Sequence, residues 1–161
     1  MKKEELEKEF ERIIRDYGGI ITKICYSFSS DSDEFKDLKQ ETLYNIWKGL
    51  NQFRKDAKLS TWIYRISFNT CISFQRKEKR INKVSTDLIL NIPEDSSGSK
   101  IENYNEMLSM IQKLNYGERA IILMWLDDLS YEEIGELTGQ KRNTIASKLK
   151  RIKEKLIQMN S

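Results

Sequence analysis

The chain has 161 residues, of which 39% are hydrophobic and 33% charged, a composition that suits one ordinary domain or two small helical ones. The net charge of +3 says little about partners, and the absence of histidine counts against metal centres and histidine-based acid–base catalysis. A single proline and seven glycines favour long helices over a turn-rich β architecture.

The amino-terminal residues 1–17 are charged throughout and lack the apolar core of a signal peptide. No apolar run approaches the roughly 18 residues of a membrane span, so we expect a cytoplasmic protein without membrane insertion. Cys25 and Cys71 fall within apolar helical patterns and form no Cys-x-x-Cys pair. This usage predicts two buried thiols in a reducing compartment rather than a disulfide or a redox switch.

Apolar spacing near the helical period predicts an all-α fold, with helices over 3–16, 18–29, 33–49, 59–81, 101–114, 117–127, 130–137 and 141–158. Asp33 is the predicted N-cap of the third helix, and Ser130 with Glu133 has the capping-box spacing. Residues 82–100 hold the only proline and a Ser/Gly run, which predicts a flexible linker. We therefore expect two small helical domains, 1–81 and 101–161, joined by this linker.

The helix over 33–49 leaves polar side chains outside its apolar face. Asp37, Gln40, Glu41 and Tyr44 lie there, and a surface that mixes acid, amide and aromatic groups suits a protein partner. A solvated helix face is the alternative.

The helix over 59–81 has apolar residues on two sides, which indicates that neighbours sandwich it. A polar strip runs between the two apolar faces, bordered by Trp62 and made of Lys58, Arg65, Asn69 and Arg76. Basic groups attract phosphate, and aromatic rings stack on exposed bases with about 1–3 kcal/mol per base. The strip is therefore a candidate nucleic-acid surface. The alternative, a core tryptophan beside solvated charges, stays open at this point.

The last two predicted helices have the spacing of a helix-turn-helix. Gly135 is small where two helices would cross closely, Gly139 stands where a tight turn is needed, and Ile145 closes a small core. The second helix of such a motif enters the DNA major groove. A basic, solvated helix packed on a hairpin is the alternative.

Charge supports the DNA-binding interpretation. The last helix has one narrow apolar stripe, formed by Ile145, Leu149, Ile152 and Leu156. Between 141 and 155 the positive residues, set against Glu154 alone, are Lys141, Arg142, Lys148, Lys150, Arg151, Lys153 and Lys155. Most of these cations would engage phosphates, whereas Asn143, Ser147 and Arg151 could reach base edges.

Two stretches, in this order along nearly the whole chain, carry a family resemblance: DLKQETLYNIWKGLNQFRKDAKLSTWIYRISFNTCISFQRK and LSYEEIGELTGQKRNTIASKLKRIKEKL. Together they resemble a bacterial RNA polymerase sigma factor of the extracytoplasmic-function (ECF) type. The resemblance implies that 1–81 is region 2, that 101–161 is region 4, and that the linker 82–100 threads through the polymerase. It also implies core RNA polymerase and promoter DNA as partners, often an anti-sigma factor, and a monomer when free. It implies no enzymatic activity, no catalytic residue, no cofactor and no metal.

The resemblance assigns roles by position. Core polymerase binding falls to Asp37, Gln40, Glu41 and Trp47. Capture and melting of the −10 element fall to Phe53, Arg54, Lys58, Thr61, Trp62, Arg65, Asn69 and Arg76. The −35 element falls to Asn143, Thr144, Ser147, Lys148, Lys150 and Arg151.

The sequence departs from the family pattern at several positions. Gln140 stands where the turn of the motif usually has an apolar residue, and Ala146 replaces a longer side chain, which puts the −35 base preference in doubt. Asn115–Gly117 replaces a proline-led turn, and Ile63 follows Trp62 where primary sigma factors have a second aromatic. A free-standing helix-turn-helix regulator is the competing function. A nucleic-acid-processing enzyme has little support, because the chain has no P-loop, metal-ligand cluster or convincing carboxylate pair.

Overall fold

The computed structural model describes residues 2–53, 58–81 and 106–160, with side chains up to 77 in the second range. The chain divides into two compact units, Met1–Glu78 and Lys79–Ser161. The regular elements in the described ranges are all α-helices: α1 Lys3–Phe28, α2 Ser32–Leu50, α3 Leu59–Ile81, α4 Glu106–Ile111, α5 Tyr116–Leu126, α6 Tyr131–Thr138 and α7 Arg142–Met159. The all-α prediction with two helical units is confirmed, whereas the predicted linker over 82–100 lies outside the described residues.

Helix α1 is continuous, so the predicted break near residue 17 is wrong. Gly18 and Gly19 lie inside the helix although glycine is a weak helix former. The buried stripe of α1 includes Ile13 before the glycines and Ile21 and Ile24 after them. Packing of this uninterrupted stripe, chiefly against α2, outweighs the local preference of the two glycines.

Helix α2 begins one residue earlier than predicted, and its N-cap is Asp31 rather than Asp33. The Asp31 carboxylate accepts a hydrogen bond from the backbone N–H of Glu34 at 2.8 Å. Asp33 lies in the first turn instead, where its charge faces the positive end of the helix dipole.

Helix α3 is packed on two sides, as its sequence predicts. Ile63 is buried from one of its apolar faces, and Tyr64, Phe68 and Cys71 are buried from the other. Near its end, the buried Gln75 side chain donates to the backbone oxygen of Phe28 at 2.6 Å and to the Glu34 carboxylate at 2.8 Å. This amide fastens α3 to the end of α1 and the start of α2.

Both cysteines are buried thiols, as predicted. A hydrogen bond with Cys71, a further one with Thr42 and the charge of Lys39 hold the pKa of Cys25 below its ordinary value, against the opposing effect of burial. No helix in the described part of the chain is long and apolar enough to cross a membrane.

In the second unit, α4, α5 and α6 each pack against α7, and α6 also contacts α5. Helix α5 is buried from Arg119 to Met124. Leu108 and Ile111 of α4 are also buried. The predicted helix over 101–114 ends earlier, at Ile111, and its first residues, 101–105, lie outside the described ranges.

Candidate nucleic-acid interface

The turn between α6 and α7 has the close approach that the glycine spacing predicts. Gly139 ends α6 in the left-handed region, with φ of 73°. A Cβ added at Gly135 would lie 2.5 Å from the backbone oxygen of Gln140, so only glycine lets the two segments approach this closely. Ser130 and Glu133 form the predicted capping box at the start of α6. These features establish the helix-turn-helix geometry.

Helix α7 separates a buried stripe from an exposed polar face. The stripe is the predicted one, Ile145, Leu149, Ile152 and Leu156. The −35 candidates that lie exposed on the other side are Asn143, Thr144, Ser147, Lys150 and Arg151. No hydrogen bond or ion pair joins these five side chains to another described residue, so they are accessible to a ligand. Lys148 differs because it is half-buried.

Several α7 cations are already engaged within the second unit, which the sequence could not reveal. Lys153 lies 3.8 Å from the centroid of the Trp125 ring. The ionic and polar pairs are Arg142 with Glu132 at 2.5 Å, Lys148 with Gln140 at 2.5 Å, and Lys155 with Glu118 at 2.6 Å. The positive charge of α7 is therefore divided between internal contacts and an outward face that carries Lys141, Lys150 and Arg151.

The turn before α5 is built by a second capping box, which was not predicted. The Asn115 side chain accepts from the backbone N–H of Glu118 at 2.8 Å, and the Glu118 carboxylate accepts from the Asn115 N–H at 3.3 Å. The Asn-x-x-Glu spacing was the available signal. Arg119, only 3% exposed, donates to the backbone oxygens of Gln112 and Leu114 and so supports the chain that leaves α4.

The polar strip of α3 lies at the surface of the first unit. Arg65, Asn69 and Arg76 are exposed, as is Lys58, whereas Thr61 is half-buried. Another candidate of the −10 group, Arg54, lies outside the described residues. The four charged and amide residues of the strip therefore share one accessible face.

Trp62 borders this strip, but it also packs. Its ring centroid lies 4.9 Å from that of Phe53, and a Cβ added at Gly49 would lie 3.1 Å from the Trp62 ring. Both aromatic side chains are half-buried. Trp62 thus joins the start of α3 to the end of α2 and keeps part of its ring accessible.

The candidate docking face of α2 is accessible over two turns. Asp37, Gln40 and Glu41 are exposed. Tyr44 on the same face is 56% exposed, and the Lys48 ammonium lies 5.0 Å from its ring centroid. Trp47 is half-buried, with its ring edge-to-face on Phe10 of α1 at 5.3 Å. Among the four predicted docking residues, Trp47 is therefore the one with a clear packing role.

The segments that carry these charged surfaces match two regions of one known family. Residues 13–81 match Sigma-70 region 2, and residues 104–156 match Sigma-70, region 4. The RNA polymerase sigma factor SigV of Bacillus subtilis is 28% identical to this chain over 155 residues, which cover 94% of this chain and 91% of SigV. The ECF RNA polymerase sigma factor SigW of the same organism is 29% identical to this chain, over a match that covers 91% of this chain and 86% of SigW.

Solved structures agree on the fold. The sigma factor RpoE of Bartonella quintana, in complex with the anti-sigma factor NepR, superposes with a TM-score of 0.72 at 24% identity and covers 92% of this chain and 94% of its own. CnrH, in complex with the cytosolic domain of CnrY, has a TM-score of 0.68 at 18% identity and covers 95% and 88%.

The family matches and the curated relatives define a promoter-directing initiation factor of RNA polymerase. The chain belongs to the sigma-70 family of sigma factors, as a member of the ECF type.

Proposed function

We propose that this protein binds core RNA polymerase and directs it to specific promoters by recognising a −35 and a −10 element and helping to melt the DNA. One observation carries the proposal: each unit packs one helix into its core and leaves a basic, amide-bearing face of the same helix exposed. These helices are α3 in the first unit and α7 in the second. Residues 1–81 would then act as region 2, 82–100 as the connecting linker and 101–161 as region 4.

In this proposal α7 reads the −35 element. Its exposed face combines Asn143, Thr144 and Ser147, which can exchange hydrogen bonds with base edges, with the cations Lys150 and Arg151. Arginine can donate two hydrogen bonds to a guanine, which makes Arg151 the main candidate for base discrimination. Lysines would chiefly anchor the phosphate backbone and make binding dependent on salt.

The strip of α3 would hold the upstream edge of the melted −10 region. Arg65 and Arg76 supply positive charge, Asn69 supplies an amide, and the accessible part of Trp62 offers a stacking surface. Flipping a base out of the stack costs a few kcal/mol, and these contacts would offset part of that cost. The protein makes no covalent bond in this mechanism, so its contribution is binding energy alone.

The face of α2 would bind core polymerase. Asp37, Gln40 and Glu41 reach the surface there, and Tyr44 adds an aromatic side chain of the kind that often carries interface energy. An anti-sigma factor is a further proposed partner, because the RpoE structure with this fold contains the anti-sigma factor NepR. We propose that the free protein is a cytoplasmic monomer that acts without a metal or cofactor.

Reconstituted transcription tests the proposal directly. The purified chain should comigrate with core polymerase on gel filtration, and the complex should initiate at discrete sites when run-off transcription is performed on a genomic promoter library. If the chain alone bound specific DNA with nanomolar affinity and never joined core polymerase, the free-standing regulator would be the correct function instead.

Two variants test the assignment of the exposed faces. Arg151→Ala should reduce transcription from −35-dependent promoters without affecting core binding. Lys113→Ala is the control: it removes an exposed charge of the same unit outside α7 and should leave this transcription unchanged. Arg65→Ala should impair opening of the −10 region, as read by permanganate footprinting, more than closed-complex binding. Loss of core binding in Arg151→Ala would contradict its placement at DNA.

A further inference from the structure

The turn residue Gln140 is held firmly by its own backbone. Its N–H donates to the backbone oxygen of Gly135 at 3.0 Å. Its carbonyl oxygen lies against Gly135, 2.5 Å from the position a Cβ there would occupy. Gln140 therefore starts its side chain from a well-defined point, directly before the N-cap of α7.

The side chain of Gln140 holds Lys148. The Lys148 ammonium donates to Gln140 Oε1 at 2.5 Å, across eight residues of sequence, and both residues are half-buried. An ammonium group has donors only, so the amide must turn its oxygen to Lys148 and its NH₂ group away. No acceptor for that NH₂ group is found in residues 106–160, so the pair presents unused donors from both partners.

These donors line a groove between the start of α5 and the side of α7. Its lining residues are Asn115, Gly117, Glu118, Ile121, Gln140, Lys148, Arg151, Ile152 and Lys155. The one carboxylate, on Glu118, already binds Lys155 at 2.6 Å and the N–H of Asn115. Gln140, Lys148 and Arg151 remain as a set of donors with two positive charges. Such a set fits a group that has only acceptors and a negative charge, which is the chemistry of a phosphate.

We propose that Gln140 positions Lys148 so that these two side chains bind one phosphate of the DNA backbone in this groove, beside Arg151, which stays free to contact a base. The inference rests on the proposed function because it takes promoter DNA as the ligand. It also gives a role to the polar side chain of Gln140 in the turn of the motif. Lys148 thereby becomes an anchor that sets the register of α7, while base discrimination is left to the exposed face.

A phosphate contact has a distinctive signature, because it is independent of base sequence. Gln140→Met, which keeps the length of the side chain but removes the amide, should weaken binding to every duplex by a similar factor of about five. The affinity of DNA binding falls as salt rises, and Lys148→Met should make the slope of log affinity against log salt less negative by about one. Lys153→Met is the matched control, since this α7 cation lies over Trp125, outside the groove, and should change the slope less.

Gln140→Glu separates a positioning role from a purely structural one. The carboxylate can still accept from Lys148, so a structural role would be fully rescued. In the proposed site the carboxylate of Gln140→Glu would neutralise the charge of Lys148, and its second oxygen, an acceptor, would face the phosphate and repel it. We therefore expect Gln140→Glu to bind DNA more weakly than Gln140→Met, although hydrogen exchange should report an equally stable second unit.

The experiment measures affinities of holoenzyme made with each variant for a promoter duplex and a duplex with a scrambled −35 element, between about 50 and 200 mM KCl, by fluorescence anisotropy. Wild-type affinity for Gln140→Met or Gln140→Glu would overturn the proposal. So would a change confined to one −35 sequence with an unchanged salt slope, which would indicate a base contact.

Failure of the proposed function would look different. The wild-type chain would not join core polymerase, or its holoenzyme would not prefer the promoter. The phosphate contact can still be scored in that case with the full chain on the same duplexes at low salt, because the expected loss in the Gln140 and Lys148 variants does not depend on sequence.

Discussion

Gly135→Ala is the substitution whose effect the structure defines most sharply. Gly135 lies in helix α6, where alanine would ordinarily be favoured by about 1 kcal/mol. Here the new Cβ would lie 2.5 Å from the backbone oxygen of Gln140, well inside van der Waals contact. Because that oxygen belongs to the backbone of a tight turn, no side-chain rotation can relieve the overlap.

The net effect follows from two opposing terms. Forcing an extra methyl group into a close contact typically costs about 1–3 kcal/mol, and the cost lies at the upper end when backbone has to move. Subtracting the helix-propensity gain of about 1 kcal/mol leaves a destabilisation of about 1–2 kcal/mol for the second unit. The displaced turn would also move Gln140, so affinity for DNA should fall.

Hydrogen exchange read by mass spectrometry suits this measurement, because it reports opening free energies for peptides of each unit separately. Gly19→Ala is the matched control. It is the same substitution within helix α1, but nothing lies within 4 Å of the new Cβ, so it should stabilise the first unit by about 0.5–1 kcal/mol. If Gly135→Ala left the second unit as stable as the wild type, the close approach of the two segments would be refuted.

Four further outcomes are expected. Asp128 ends the turn after α5 with φ of 65°, so Asp128→Gly should stabilise the second unit by about 1 kcal/mol, whereas Gly139→Ala should destabilise it by about 1–2 kcal/mol, both by hydrogen exchange. Gln75→Leu should destabilise the first unit by about 1–3 kcal/mol, since it removes the hydrogen bonds that the buried amide donates to the Phe28 backbone oxygen and the Glu34 carboxylate. Cys25 and Cys71, both 0% exposed, should react with a thiol reagent such as DTNB only as fast as the native protein opens.

Arg76→Leu, at the exposed neighbour of Gln75, should change stability by no more than about 0.5 kcal/mol. Equal effects of these two leucine substitutions would refute the role of the buried amide. A destabilising Asp128→Gly would show that the aspartate side chain matters more than its backbone strain. Rapid labelling of either thiol in native protein would contradict its burial.

The local chemistry of several elements was predictable from sequence. The pattern Ser130-x-x-Glu133 predicted the start of α6, and the spacing of Gly135 and Gly139 predicted the helix-turn-helix, because caps, tight turns and close crossings each require particular residue types. Asn115 and Glu118 have the same capping-box spacing, but the start of α5 was not predicted from it. The apolar stripe of α7 was predictable for the same reason, since a helix must bury one side at a fixed period.

The break predicted in α1 failed for a different reason. The predicted break lies directly before Gly18 and Gly19, which are weak helix formers. The buried stripe continues across them from Ile13 to Ile21, and the packing of that stripe is a sum over contacts with residues distant in sequence. Similarly, the two-sided burial of α3 was predictable from its pattern, but the packing of Trp62 on Gly49 and Phe53 was not.

The order of the two helical domains, the family, and the concentration of positive charge in α7 could all be predicted, because they depend on residue types and their spacing. Which of those charges already have a partner within the second unit could not be predicted, because it depends on the packing of the helices. Arg142, Lys148, Lys153 and Lys155 contact Glu132, Gln140, Trp125 and Glu118, partners that come from other elements or from the turn. The number of charged residues follows from the sequence, whereas the exposure of each charged group depends on which side chains the fold places within a few ångströms of it.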